Sequence, residues 1–152
     1  MSLQSILKPN NCNIFMANSQ QSGEAIIFEN LSQPTVGALL TADQIKGGLV
    51  ISNNTSGGNL TYTLPSVASL YSGSGGTGNV PANYSFTCWF HANEDGSGGM
   101  VINSSGGAGN FAIRNNSGGE LTIPEGQSAF ANFFIYLDGG VPSGDVFYIL
   151  SA

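Results

Sequence analysis

Short apolar runs, cut by joints rich in glycine, asparagine and serine, leave this chain little to build but short β-strands. From Asn83 onward the runs are Asn83–Ala92, Met100–Asn103, Phe111–Arg114, Leu121–Ile123, Ala129–Leu137 and Val146–Ser151. The joints read Ser-Ser-Gly-Gly, Asn-Asn-Ser-Gly-Gly, Asp-Gly-Gly and Pro-Ser-Gly. Such residues tolerate the positive φ that tight turns demand. In the first half, Glu24–Asn30 and Leu49–Ser52 read as strands. Leu60-Thr61-Tyr62-Thr63-Leu64 alternates apolar with polar, the period of a half-buried strand, and Pro65 ends it. Thr41 caps one helical turn over Ala42–Ile45, and Ser66 caps a second through Tyr71. Ser72–Asn79 reads as a flexible glycine-serine loop. Roughly eight or nine strands at 8–12-residue spacing predict a sandwich or barrel. The expectation is an all-β fold: a single antiparallel β-sandwich, jelly-roll-like, with one or two short helical turns. It spans residues 13–152, behind a polar N-terminal arm over 1–12.

Composition narrows the classes. Charged residues are 8% of 152, against ~25% in ordinary soluble domains. Hydrophobic residues are 41%, enough for one core. Net charge is −6, with Lys8, Lys46 and Arg114 the only basic side chains. Phosphate-backbone recognition depends on Lys and Arg, so neither nucleic acid nor an anionic membrane surface is expected as a partner. No apolar stretch has the length of a signal-peptide core or a membrane span, so no secretory route is expected. The Asn-x-Ser/Thr triplets at Asn30, Asn53, Asn54, Asn59, Asn83, Asn103 and Asn115 are then chance products of an Asn- and Ser-rich chain.

No residue set rises to catalysis. His91 is the only histidine and has no nucleophile elbow to serve. The nine acidic residues mostly flank turns, where a glycosidase-like pair is not expected. Gly73-Ser74-Gly75-Gly76-Thr77-Gly78 spells a dinucleotide fingerprint, but it follows a helical turn and leads into Val80-Pro81, the wrong context. Glu94-Asp95-Gly96-Ser97 offers carboxylates without the twelve-residue calcium loop. Cys12 and Cys88 read as two free thiols rather than a single long-range disulfide, and they fall short of a four-ligand zinc site. No cofactor, metal or catalytic residue is expected.

The long strands carry apolar residues on both faces. Phe130, Phe134 and Tyr136 point one way from Ala129–Leu137, and Phe133, Ile135 and Leu137 the other. Phe147 and Ile149 oppose Val146, Tyr148 and Leu150 in the last run. In Ser85–Ala92, Phe86, Cys88 and Phe90 share one face, and Thr87, Trp89 and His91 the other. One face fills the core; the second needs cover, from a second subunit or, as the alternative, from the N-terminal arm and the Ser66–Asn79 loop of the same chain. The residues assigned to that subunit interface are Phe133, Ile135, Leu137, Tyr148 and Leu150. Tyr62, Tyr84, Trp89 and His91 are the candidates for ligand or receptor contact.

Several segments, taken in order, resemble a known family. Leu40-Thr41-Ala42-Asp43-Gln44-Ile45-Lys46-Gly47-Gly48-Leu49-Val50 precedes Tyr62-Thr63-Leu64-Pro65-Ser66-Val67-Ala68-Ser69-Leu70. Tyr84-Ser85-Phe86-Thr87, Met100-Val101-Ile102-Asn103 and Leu121-Thr122-Ile123-Pro124-Glu125-Gly126-Gln127-Ser128-Ala129 follow. This order, over residues 40–152, resembles small surface and decoration proteins of the virions of large DNA viruses, virophages and phages. The Trp89-Phe90-His91 cluster and Cys88 depart from that pattern. The resemblance implies a β-sandwich assembled as a homotrimer on a particle, with no catalytic residues. The expected function is a structural or decoration protein that stabilises a capsid or contacts the host surface. Its partners would be copies of itself, other capsid proteins or a host-surface glycan. The expected location is the virion, after assembly in host cytoplasm or a viral factory. The alternative is a carbohydrate-binding module, with Trp89, Tyr84 or Tyr62 as stacking platform and Asn and Asp loop groups for sugar hydroxyls.

Overall fold

The computed structural model describes residues 27–31, 38–52, 58–93, 98–115 and 119–151. The N-terminal arm with Cys12, the Glu94–Ser97 turn and the triplet positions Asn53 and Asn54 lie outside the described residues. Among the described residues, ten strands form two sheets: β1 (Ile27–Leu31), β2 (Ala38–Leu39), β3 (Gly48–Ser52), β4 (Leu60–Thr63), β5 (Tyr84–Ala92), β6 (Met100–Asn103), β7 (Phe111–Ile113), β8 (Glu120–Ile123), β9 (Ser128–Asp138) and β10 (Val141–Leu150). One sheet runs β1-β3-β5-β9-β10-β7, the other β2-β4-β6-β8.

The chain changes sheet at every step from β1 to β8. Equivalent strands of successive coils therefore stack in parallel: β1 on β3 on β5, and β2 on β4 on β6. Leu49 pairs with Trp89 and Leu60 with Met100, one coil later in each sheet. A parallel pair needs a long crossover, and here each crossover includes a strand of the opposite sheet. The return half is antiparallel: β8 on β6, β9 on β5, β10 on β9. At the far edge β7 lies parallel to β10. The expectation of a purely antiparallel, jelly-roll-like sandwich is thus corrected to a two-sheet β fold with mixed sheets. Period-2 alternation reports which face a residue takes and is silent on strand direction.

Both capped turns form as the sequence indicates. In α1 (Ala42–Lys46), the Thr41 hydroxyl accepts from the Gln44 N–H at 3.2 Å and the Gln44 side chain accepts from the Thr41 N–H at 2.8 Å, a complete capping box. Ser66 caps a 3-10 turn over Val67–Ser69. The glycine-serine stretch after it is pinned rather than loose. Ser72 and Val80 N–H groups donate to the Val80 and Leu70 carbonyls, Thr77 N–H to Ala68 and Gly78 N–H to Tyr71, all at 2.8–2.9 Å. A Cβ on Gly76 or Gly78 would overlap the carbonyls of Tyr71 or Leu70. The glycines here permit close backbone approach, not phosphate binding.

Asp138-Gly139-Gly140-Val141 closes the β9–β10 hairpin, with φ +58° at Gly139 and +88° at Gly140, as a type I′ turn requires. β10 begins at once, so Pro142-Ser143-Gly144 belongs to the strand instead of a joint. Pro142 is tolerated because β7 reaches β10 only from Gly144 onward.

The core lies between the sheets. Val50, Phe90, Ala131, Phe133, Ile135 and Val146 from the larger sheet join Leu60, Tyr62, Met100, Ile102, Leu121 and Ile123 from the smaller. Phe133 stacks parallel on its register partner Phe86, centroids 5.0 Å apart, and meets Phe111 edge-on at 5.2 Å. Ser52 is the fully buried polar residue among the described residues, and its hydroxyl lies 3.3 Å from the Tyr62 hydroxyl, tying β3 to β4 across the sheets.

Candidate functional site

The outer face of the six-stranded sheet concentrates the exposed aromatic surface. Strand parity fixes which residues reach it. Ala129, Ala131, Phe133 and Ile135 turn inward on β9, so Phe130, Asn132, Phe134 and Tyr136 turn outward. On β10, Val146 turns inward, so Asp145, Phe147 and Ile149 turn outward. On β5, Cys88 and Phe90 turn inward, so Thr87, Trp89 and His91 turn outward. Register then sets these into rows across the strands. Leu49, Trp89, Phe130 and Ile149 form one row, and Thr87, Asn132 and Phe147 the next. Trp89 meets Phe130 edge-to-face at 5.4 Å, and Phe134 meets Phe147 the same way at 5.8 Å. Trp89 is 47% exposed and Ile149 71%, with Phe134 and Phe147 between two-fifths and a half.

Polar groups rim this surface and are paired. His91 Nδ1 lies 2.9 Å from the Ser128 hydroxyl on the neighbouring strand. Arg114 Nε donates to Asp145 Oδ1 at 2.8 Å, with the terminal guanidinium nitrogen at 2.7 Å. The Tyr136 hydroxyl donates to the same oxygen at 3.4 Å. Hydrogen bonding to Asp145 raises the Arg114 pKa further. The face therefore presents apolar rings with one neutralised ion pair at its margin. Aromatic side chains carry ~150–250 Å2 each, so the half-exposed rings together with Ile149 present roughly 400 Å2, the size at which a patch marks a contact surface.

The residues assigned to an interface fall in different places. Phe133 is fully buried and Ile135 1% exposed, both inside the chain's own core, so neither can meet a second chain. Tyr148 is half-buried against that core, while Leu137 and Leu150 are exposed. Alternation separates two apolar faces without saying which is inward. Phe130, Phe134, Phe147 and Ile149 are the surface residues that reading missed. The signal was present in their polar companions: Asn132 shares a face with Phe130 and Phe134, and Asp145 with Phe147.

The four candidate contact residues do not form one platform. Tyr62 is 2% exposed in the core, where burial raises its pKa against the opposing Ser52 hydrogen bond. Trp89 and His91 share the outer face. Tyr84 has the opposite parity and lines a cavity of about 130 Å3 at the start of β5 with Lys46, Asn79, Val80, Pro81 and Phe86. Cys88 is buried, its thiol pKa pushed far up by burial, with Sγ 3.6 Å from the Trp89 carbonyl oxygen. A thiol held protonated is no nucleophile. Among the described residues, no three His, Cys, Asp or Glu side chains gather as a metal site, and no helix is long and apolar enough to cross a membrane. Compared with family models, with curated proteins and with solved structures, the chain matches none.

Proposed function

We propose that this chain is a non-catalytic structural building block that assembles with copies of itself through the outer face of its larger sheet. The observation that carries the reading is the row Leu49–Trp89–Phe130–Ile149 beside Phe134 and Phe147, an apolar face left partly exposed among the described residues. Its chemistry suits a second copy better than a charged partner. The one ion pair on it, Arg114–Asp145, is internally neutralised, so two such faces meet without like-charge repulsion. Two patches of roughly 400 Å2, extended by their surroundings, come within reach of the ~1,200–2,000 Å2 of a stable interface. The sequence resemblance to virion surface and decoration proteins supports a homotrimer on a virus-like particle as the finer form of this reading. Low charge suits a subunit held by apolar packing.

Light scattering after gel filtration tests it. The wild-type chain is expected at three times its 15.6-kDa mass. The double variant Trp89→Ser, Phe147→Ser is expected at the single-chain mass with its thermal transition retained. A wild-type chain that stays monomeric at high micromolar concentration overturns self-assembly; a dimer retains it and removes the trimer.

A further inference from the structure

We infer that the cavity at the start of β5 binds the carboxylate of an acidic pyranose, a uronic acid, with Tyr84 against the sugar ring. The site is separate from the outer face, because Tyr84 and Trp89 project to opposite sides of β5. Among the described residues, three side chains lining the cavity carry hydrogen-bond donors: Lys46, Asn79 and Tyr84. The Lys46 side chain is only 18% exposed, drawn in at the end of α1, and its ammonium donates to Asn79 Oδ1 at 2.7 Å. Asp43 lies at 3.7 Å but is itself 80% exposed, so it neutralises Lys46 weakly. With its oxygen occupied by Lys46, the Asn79 amide is left to offer N–H donors. The Tyr84 phenol is the third. Val80, Pro81 and Phe86 supply the apolar remainder of the wall.

This set selects by charge and size. One ammonium and two neutral donors match a monoanion with several acceptors. A phosphate would seek an arginine fork or several cations, and Arg114, bound to Asp145, belongs to another part of the molecule. The net charge of −6 also opposes polyanions. A space of about 130 Å3 accepts a carboxylate and the carbons next to it, not a whole oligosaccharide. Tyr84, 47% exposed at the rim, offers a ring face to the C–H edge of a pyranose that extends outward. Val80 N–H donates to the Leu70 carbonyl and Asn83 N–H to the Ile135 carbonyl, anchoring the segment between them at both ends.

Titration of the full chain with glucuronate, glucose and acetate, followed by amide chemical shifts, tests the site. Saturable shifts are expected at Lys46, Asn79 and Tyr84 with glucuronate, and at least tenfold weaker binding of glucose and acetate. Lys46→Met, which keeps the buried stem, should lose glucuronate binding tenfold or more while the thermal transition is unchanged. Tyr84→Leu should bring glucuronate down to the level of acetate. Acetate binding as tightly as glucuronate would reduce the site to a simple carboxylate pocket and overturn the sugar assignment. Glucuronate binding that survives in Lys46→Met, or no saturable shift at these amides, overturns the proposal outright.

Discussion

At Gly144 a missing side chain is a packing requirement. The residue pairs with Phe111 across the β10–β7 ladder, and a Cβ there would lie 2.5 Å from the Phe111 ring and 2.9 Å from the Phe134 carbonyl oxygen. Gly144→Val must displace a buried ring, and is expected to cost about 1–3 kcal/mol in urea unfolding. Glycine count alone does not reveal this position; its partner does. Two buried acids make a second prediction at this scale. Cys88 and Tyr62 both hold their protons more tightly folded than unfolded, because burial penalises the anion. The contribution of each is complete below its ordinary value, 9.0 for the thiol and 10.0 for the phenol, and is lost as pH rises past it. Thermal stability should therefore fall from about pH 9 upward. In a Cys88→Ala chain the decline should begin about one pH unit later, with the phenol. An unchanged alkaline limb in that variant removes Cys88 as a cause.

Among the elements, β9 shows how a strand divides its residues. Ala129 and Ala131 stand opposite Phe90 and Cys88, leaving room for larger neighbours in the core. Phe133 contacts Phe86, Phe90 and Phe111. Phe133→Ala should cost about 3–5 kcal/mol, whereas Phe147→Ser on the outer face should cost far less stability and change the mass in solution instead. Equal losses for the two would erase the distinction between core and contact face. The helical turns were legible in the chain, because a capping box is a local pattern: Thr41 and Gln44 stand three positions apart and satisfy one another. The stretch 72–80 was not. Its composition matches a flexible linker, but its backbone groups find partners on the turn that precedes it. Hydrogen bonds to neighbouring backbone leave no mark on composition.

Over the whole molecule, the order of strands organises both surfaces. Coiling β1 to β6 through two sheets brings Leu49 beside Trp89, and the antiparallel return adds Phe130 and Ile149 to the same row. The proposed contact face is therefore made of segments far apart in sequence. Its association should depend weakly on salt, since its one ion pair is closed within the chain. A mass in solution that falls sharply between low and high ionic strength would assign assembly to charge rather than to this apolar face. Local chemistry determined the β class, the capped turns and the glycine positions of the β9–β10 hairpin, since alternation, capping and positive φ are settled within a few residues. Whether strands run parallel, which apolar face of β9 is buried, and that Tyr84 and Trp89 serve different surfaces depended on long-range register. Those pairings are set by which strands share a core, a condition met only when the whole chain has closed around it.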